Sequence, residues 1–191
     1  ILNSINCIFF KMKIKFFIIY LVTYLFVNSV SFAEEKDSQR NSYTGILDDK
    51  TSGLNVYSGM FDFSDDGQRA SLIGIEHQNH NLYRNTLIGK ISPVTGFFIT
   101  ANKASYIYTG IETNYKLGRL NITPSFTPGL YGKGDGKDLG SIVEFKSDVQ
   151  LSYDVGESMN LGMSYNHVSN ASLGDKNPGA NSYMFNFLKK F

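Results

Sequence analysis

Cysteine is almost missing from this chain: Cys7 is the single one, and it precedes an N-terminal stretch with the pattern of an export signal. The chain beyond that stretch has none, which excludes a disulfide framework, a thiolate nucleophile and a thiolate metal site there. Charge of one sign is missing as well. Leaving out residues 1–33, which carry Lys11, Lys13 and Lys15 and no acid, reduces 18 basic residues to 15 against 17 acidic ones. No basic patch suited to nucleic acid arises from that balance. Long apolar runs are lacking too: Phe16 to Val27 is about a dozen residues, where a spanning helix needs roughly 20. Beyond residue 53 no helical periodicity stands out. At 191 residues the chain has the length of one domain.

What is present begins with a targeting pattern. Lys11, Lys13 and Lys15 form a positive region ahead of the apolar run, and Ser31-Phe32-Ala33 supplies small residues at the −3 and −1 positions of a cleavage site. Residues 1–33 are therefore expected to be upstream residues and a cleaved secretory signal, with Met12 a better start than Ile1. Residues 34–53 are polar and rich in turn formers, and read as a flexible periplasmic leader.

From there on the pattern has a period of two. Leu120, Ile122, Pro124, Phe126, Pro128 and Leu130 share one face, opposite Asn121, Thr123, Ser125, Thr127 and Gly129. Val143, Phe145, Val149, Leu151 and Tyr153 alternate with Glu144, Lys146, Asp148, Gln150 and Ser152; the last segment sets Tyr183, Phe185, Phe187 and Phe191 on one face. In a soluble sandwich the apolar face would be the inside. Here the polar faces carry both signs of charge, and the apolar faces are rich in Tyr and Phe, as in a membrane–water girdle. The expected fold is all-β: an eight-stranded antiparallel transmembrane β-barrel of the outer-membrane type over residues 54–191. Its strands are expected near 54–63, 69–80, 84–100, 104–117, 119–131, 141–154, 157–169 and 181–191, with 84–100 open to division in two. Each has about the 10 residues that a tilted spanning strand needs. Pro93 and Pro128 belong at bulges or rims, because proline cannot donate to the ladder. Lys189 interrupts the final apolar face, where its stem can lie on lipid with the ammonium in water. Gly118-Arg119 and DVGES (154–158) read as tight periplasmic turns, and GKGDGKDLG (132–140) and SNASLGDKNPGA (169–180) as outer loops.

The chemistry-bearing residues cluster at the end of the seventh expected strand. Leu161, Met163 and Tyr165 share the apolar face, and the same parity turns His167 and Ser169 toward lipid. Cα atoms two apart on a strand are ~6.5–7 Å apart, a distance that an imidazole can lean across. Asn181 has the parity of Tyr183 and Phe185, so it faces lipid too. If the loop brings it beside His167, the three make one polar patch at the outer end of the barrel. In an arbitrary barrel such a patch marks where the membrane ends, and parity alone does not overturn that reading.

His167-Val168-Ser169-Asn170-Ala171 followed by Asn177-Pro178-Gly179 resembles the lipid A 3-O-deacylase (PagL) family of outer-membrane acyl hydrolases, also described as acyloxyacyl hydrolases. TPGLYGKGDGKDLG (127–140) and Val143-Glu144-Phe145-Lys146-Ser147 support the resemblance, with fainter likeness back to the first strand. It implies a serine esterase of the outer membrane that removes the 3-position acyl chain of lipid A, a carboxylic ester hydrolase acting on lipopolysaccharide without a cofactor. By position, Ser169 would be the nucleophile, His167 the general base and then acid, and Asn170 an oxyanion-hole contributor. The family's third member is a glutamate fourteen residues after the histidine, and Asn181 stands there. An amide orients imidazole but does not offset imidazolium charge, so a catalytically impaired or structural barrel of the same fold stays open. Asp175, in the intervening loop, is a candidate substitute acid. A homodimer is compatible with the resemblance; a nucleic-acid partner is not expected.

Glu144, Lys146 and Asp148 are expected to form a salt-bridge network that packs the lumen. His77 and His80, three apart, point to opposite faces of a strand and suit zinc poorly. Asp135 and Asp138 are expected in a solvated loop, with contact to a divalent ion bridging lipid A phosphates as the lesser alternative. An adhesin-type barrel is disfavoured by the H-x-S-N-A and NPG segments, and an acyl-transfer site inside the lumen by the parity of His167 and Ser169.

Overall fold

The computed structural model describes residues 52–191. The expected signal segment, and all of the expected leader except Ser52 and Gly53, lie outside the described residues; those two open the first strand. Among the described residues there are ten strands and no helix: β1 (Ser52–Phe61), β2 (Ala70–Asn79), β3 (Arg84–Thr86), β4 (Gly89–Thr100), β5 (Ser105–Thr113), β6 (Tyr115–Leu117), β7 (Leu120–Gly132), β8 (Val143–Asp154), β9 (Met159–Ser169) and β10 (Ala180–Lys190).

The sheet closes on itself. Neighbours run β2-β1-β10-β9-β8-β7-β5-β4, and β4 pairs back onto β2, all antiparallel. With β6 continuing β5 and β3 folded onto β4, this is a closed barrel of eight staves. Closure leaves no edge among the spanning strands, which a sheet in hydrocarbon requires because no water can satisfy its N–H and C=O groups. Both described chain ends sit at the end with short turns, where Ser52 and Phe191 exchange backbone hydrogen bonds of 3.1 and 2.9 Å.

The stretches 84–100 and 104–117 are not continuous strands. Residues 84–91 form a hairpin with Arg84 opposite Ile91, turning at Leu87-Ile88, where Gly89 takes φ +115° and the Thr86 hydroxyl donates to the Gly89 carbonyl. The break between β5 and β6 has its cause in the neighbouring strand. Glu112 pairs with Ser125 and Tyr115 with Ile122, so the unpaired step between them lies against Pro124. Pro128 opens a second gap between the Tyr108–Gly129 and Ile111–Phe126 pairs, while β2 stops pairing with β4 at Val94, one residue after Pro93. The prolines are thus not at bulges: register is kept across them, and the missing N–H interrupts the ladder instead.

The wall has the expected polarity. Ile73, Ile75, Ile107, Phe126, Leu151, Met163 and Phe185 are exposed on the outside, while Asn55, Gln150, Ser152, Asn160, Ser164 and Asn186 are buried inside. The lumen has two zones. Toward the long-loop end it is plugged by Phe61, Phe98, Tyr106 and Tyr131, with Phe61 to Phe98 centroids at 5.7 Å and Phe98 to Tyr106 at 5.6 Å. Val168 and Leu139 complete the plug and are almost fully buried. Toward the middle it is polar. Lys146 reaches across to Glu76 of β2 at 3.3 Å and lies 3.8 Å over the Tyr108 ring, whose hydroxyl donates to the same Glu76 carboxylate at 2.8 Å. The expected network along β8 is therefore corrected: Lys146 takes its partner from across the barrel rather than from Glu144 or Asp148. Residues two apart on a strand stand side by side, and a long ammonium stem spans the lumen more easily than it folds back. A void of about 10 Å³ remains beside Lys146 and Asp148, roughly the room of one water. It is no passage for a substrate.

His77 lies against Phe191 with ring centroids at 6.4 Å, and His80 Nε2 is 2.8 Å from Glu112. Lys189 stays on the outer face and donates to the Ser158 hydroxyl at 2.7 Å.

Candidate active site

Strand β9 carries the site because its parity is fixed from inside. Val168 is buried in the lumen plug, with Asn166 and Ser164 below it on the same inward face. Seating Val168 inward turns His167 and Ser169 outward, and a one-residue slip would reverse all three. Strand β10 is held in the same way by Ser182, Met184 and Asn186. Register then places Asn181 directly opposite His167 and Tyr183 opposite Tyr165.

The side chains use that juxtaposition. His167 Nδ1–H donates to Asn181 Oδ1 at 2.8 Å, and the Tyr165 hydroxyl donates to the same oxygen at 2.9 Å. Asn181 Nδ2 donates to the Ser64 hydroxyl at 3.3 Å. Ser64 belongs to the loop from β1 to β2, which lies against the outer wall here. Phe63 N–H donates to the Asn181 carbonyl at 3.0 Å, and its ring sits 6.2 Å from Tyr165 and 5.4 Å from Tyr183. The loop is tied down further by Asp62, a buried residue at φ +51° whose carboxylate meets Lys137 at 2.6 Å.

Gly179 bounds the imidazole from the other side. Its φ is +62°, and a methyl added there would stand 2.8 Å from His167 Cε1 and 3.2 Å from Nε2. The bare Cα therefore leaves room for the ring, with Nδ1 committed to Asn181 and Nε2 toward Gly179. Ser169, the last residue of β9, pairs with Phe145 and is half-buried on the same outer face. In this structure the imidazole is hydrogen-bonded to Asn181 and not to Ser169. Nucleophile–base contacts of this kind often tighten only when substrate arrives.

Asn170 is placed differently from Ser169. It is fully buried, and its amide donates to the carbonyls of Leu139 (2.6 Å) and Lys176 (2.8 Å), while its backbone N–H donates to Asn177 Oδ1 at 3.0 Å. It locks the two long loops together. Immediately after it, Ala171 (φ +50°) and Ser172 (φ +63°) form a tight turn closed by Leu173 N–H to the Asn170 carbonyl at 2.9 Å. Both central residues at positive φ define a type I′ turn, which Ala and Ser enter at a cost. Asp175 is exposed in the loop, and the Nδ1 partner is Asn181. Tyr165 had a legible signal, the parity it shares with His167; Ser64, more than a hundred residues away, had none.

A closed barrel with an apolar outer wall and a packed polar lumen is a β-barrel of the outer-membrane type, here with a His, Ser and Asn group facing outward near its long-loop end. The chain belongs to the lipid A 3-O-deacylase (PagL) family, whose model matches residues 51–190. Among solved structures it is similar to the crystal structure of the outer membrane enzyme PagL, at 15% identity and a TM-score of 0.55, covering 72% of this chain and 98% of that one. A de novo designed transmembrane β-barrel is similar at 11% identity and a TM-score of 0.53, covering 74% of this chain and 96% of that one. These two likenesses concern the fold. No curated protein matches the sequence. The family and fold point to the outer membrane of a Gram-negative bacterium.

Proposed function

We propose that the protein is an outer-membrane serine esterase that hydrolyses the 3-position acyl ester of lipid A, with Ser169 as nucleophile and His167 as base. The observation that carries this reading is the 2.8 Å bond from His167 Nδ1 to Asn181 on the lipid-facing wall, which leaves Nε2 as the ring's acceptor nitrogen. Nε2 takes the Ser169 proton as Oγ attacks the ester carbonyl, then returns it to the departing sugar oxygen. An acyl-serine remains, and water attacks it by the reverse proton path. Asn181 orients the imidazole without offsetting its positive charge. Because both N–H bonds of the Asn170 amide go to loop carbonyls, its proposed part shifts from oxyanion donor to holding the loops around Ser169. With the Asn170 main-chain N–H committed to Asn177, the next main-chain donors after Ser169 are those of Ala171 and Ser172, in the adjoining turn. An outward site suits this substrate, since lipid A need not leave its leaflet. Export through a signal in residues 1–33 would bring the barrel there.

Expression in a host with intact lipid A tests the reading. Mass spectra should show loss of one hydroxyacyl chain with the wild type and none with Ser169→Ala. Unchanged lipid A with a folded wild-type barrel would instead favour a structural barrel, the reading that the neutral Asn181 supports.

A further inference from the structure

An asparagine can show an imidazole either its oxygen or its NH₂, and only one of these leaves a usable base. With Oδ1 toward Nδ1, the ring proton sits on Nδ1 and the Nε2 lone pair is free. With NH₂ toward Nδ1, the ring proton moves to Nε2, and no lone pair remains there for a serine. In a trypsin-like triad, replacing the acid by Asn lowered turnover by about 10⁴ through this wrong tautomer. Asn181 faces the same choice.

We infer that Tyr165 is a positioning residue that clamps the Asn181 amide with its oxygen toward His167, so that an amide holds the imidazole in the tautomer a base requires. Oδ1 has two lone pairs and meets two donors, His167 Nδ1–H at 2.8 Å and the Tyr165 hydroxyl at 2.9 Å. Nδ2 is turned away and donates to Ser64 Oγ at 3.3 Å. In the flipped amide the Tyr165 hydroxyl would have to accept. A phenol accepts weakly, and its own proton would then point at a lipid-facing surface that offers little water. Ser64 Oγ, held in place by the Phe63 N–H to Asn181 bond and by Asp62 on Lys137, receives the Nδ2 donor; as a hydroxyl that can also donate, it anchors the amide while Tyr165 sets its direction. The clamp thus draws on three separate stretches of chain.

The catalytic meaning of the clamp rests on the proposed esterase reading; the tautomer itself does not. The chain has three histidines, so ¹⁵N-histidine labelling of the barrel in detergent micelles gives few signals, and His167→Gln assigns the one of interest. At a pH that leaves the ring neutral, the wild type should show the Nδ1–H tautomer. Tyr165→Phe should move the tautomer ratio about fivefold toward Nε2–H, the effect of one lost neutral hydrogen bond. Should Tyr165→Phe not fold, the wild-type tautomer alone still decides. A wild-type ring protonated on Nε2, or a ratio that Tyr165→Phe does not move, overturns the clamp. With activity, Tyr165→Phe should lower kcat at unchanged KM in proportion to the Nδ1–H fraction that it removes, about fivefold at most. The same change on an Asn181→Asp background should cost nothing, since a carboxylate has no NH₂ to misplace. A cost of the same size on both backgrounds also overturns it. If the wild type deacylates nothing, the esterase reading fails while the tautomer measurement still decides the clamp.

Discussion

Gly179→Ala should silence the site with little damage to the barrel. At φ +62° a side chain costs roughly 1–2 kcal/mol, the penalty of the left-handed region for an L-residue. The methyl would stand 2.8 Å from His167 Cε1, whereas non-bonded carbons settle at about 3.5–4.0 Å, so the ring must retreat by roughly 1 Å or the loop must lift. Retreat of the ring strains its 2.8 Å bond to Asn181, and either movement alters the placement that the proposed base requires. A misplacement of about 1 Å is worth on the order of 100-fold in rate. Gly118→Ala is the matched control: its φ is +64°, nearly the same, and a methyl there meets nothing within 4 Å. The assay is the initial rate of 3-acyl release from lipid A in mixed micelles, read by mass spectrometry beside the thermal unfolding of each barrel. The expected result is a loss of stability in Gly179→Ala that exceeds the loss in Gly118→Ala by the cost of the clash, and loss of rate in Gly179→Ala alone. A folded Gly179→Ala barrel that works within twofold of the wild type would refute the placement of the catalytic ring.

Asn170→Ala should leave the Leu139 and Lys176 carbonyls unpaired at about 1–3 kcal/mol each, lowering the melting temperature and opening the 170–179 loop to protease. Ala171→Gly should raise stability by about 1 kcal/mol by relieving the positive-φ turn after Ser169, checked by thermal unfolding. Asp138 is held below the usual carboxylate range by the Gly140 N–H and then by Lys176. A depressed carboxylate stabilises the folded loops at every pH above its unfolded value of about 3.9 and loses that contribution as pH falls through the lower folded value. Loop proteolysis with an acid-tolerant protease should therefore be the same at pH 7 and pH 5 and rise only on further acidification; a rise between pH 7 and pH 5 would count against it. Asn181→Glu should raise the rate of 3-acyl release, because a carboxylate both orients the ring and offsets the imidazolium charge; an equal or lower rate in a folded variant would argue that the amide is fully sufficient.

The polarity of each strand was legible because alternation is written residue by residue: Val143 to Tyr153 reads outward-inward in the chain and in the barrel alike. The same rule turns His167, Ser169 and Asn181 to one face. What lay between strands was not legible. Pro124 looks like a residue of its own strand's apolar face, yet its effect appears in the neighbour, which it divides into β5 and β6. Lys146 has carboxylates two residues away on both sides and pairs instead with Glu76, because the barrel's curvature sets the far wall within reach of a long side chain. Ser64 and Phe63 reach the site only because a loop folds outward over the wall, and a loop has no periodicity to announce it.

The inward face explains how an outward group of residues is held in place on a lipid-facing wall. Val168 sits between His167 and Ser169 and is locked in the aromatic plug, so the backbone that carries the proposed base and nucleophile cannot rotate without unpacking the lumen. Leu139 fills the same plug, and its carbonyl accepts from Asn170, the residue after Ser169. The plug therefore fixes the strand from within and the loops from above. That division of labour gives the packed lumen a part to play: it holds a rigid frame, and the proposed chemistry falls to the wall, where an amphiphilic ester would meet Ser169 while its acyl chains stay in the membrane.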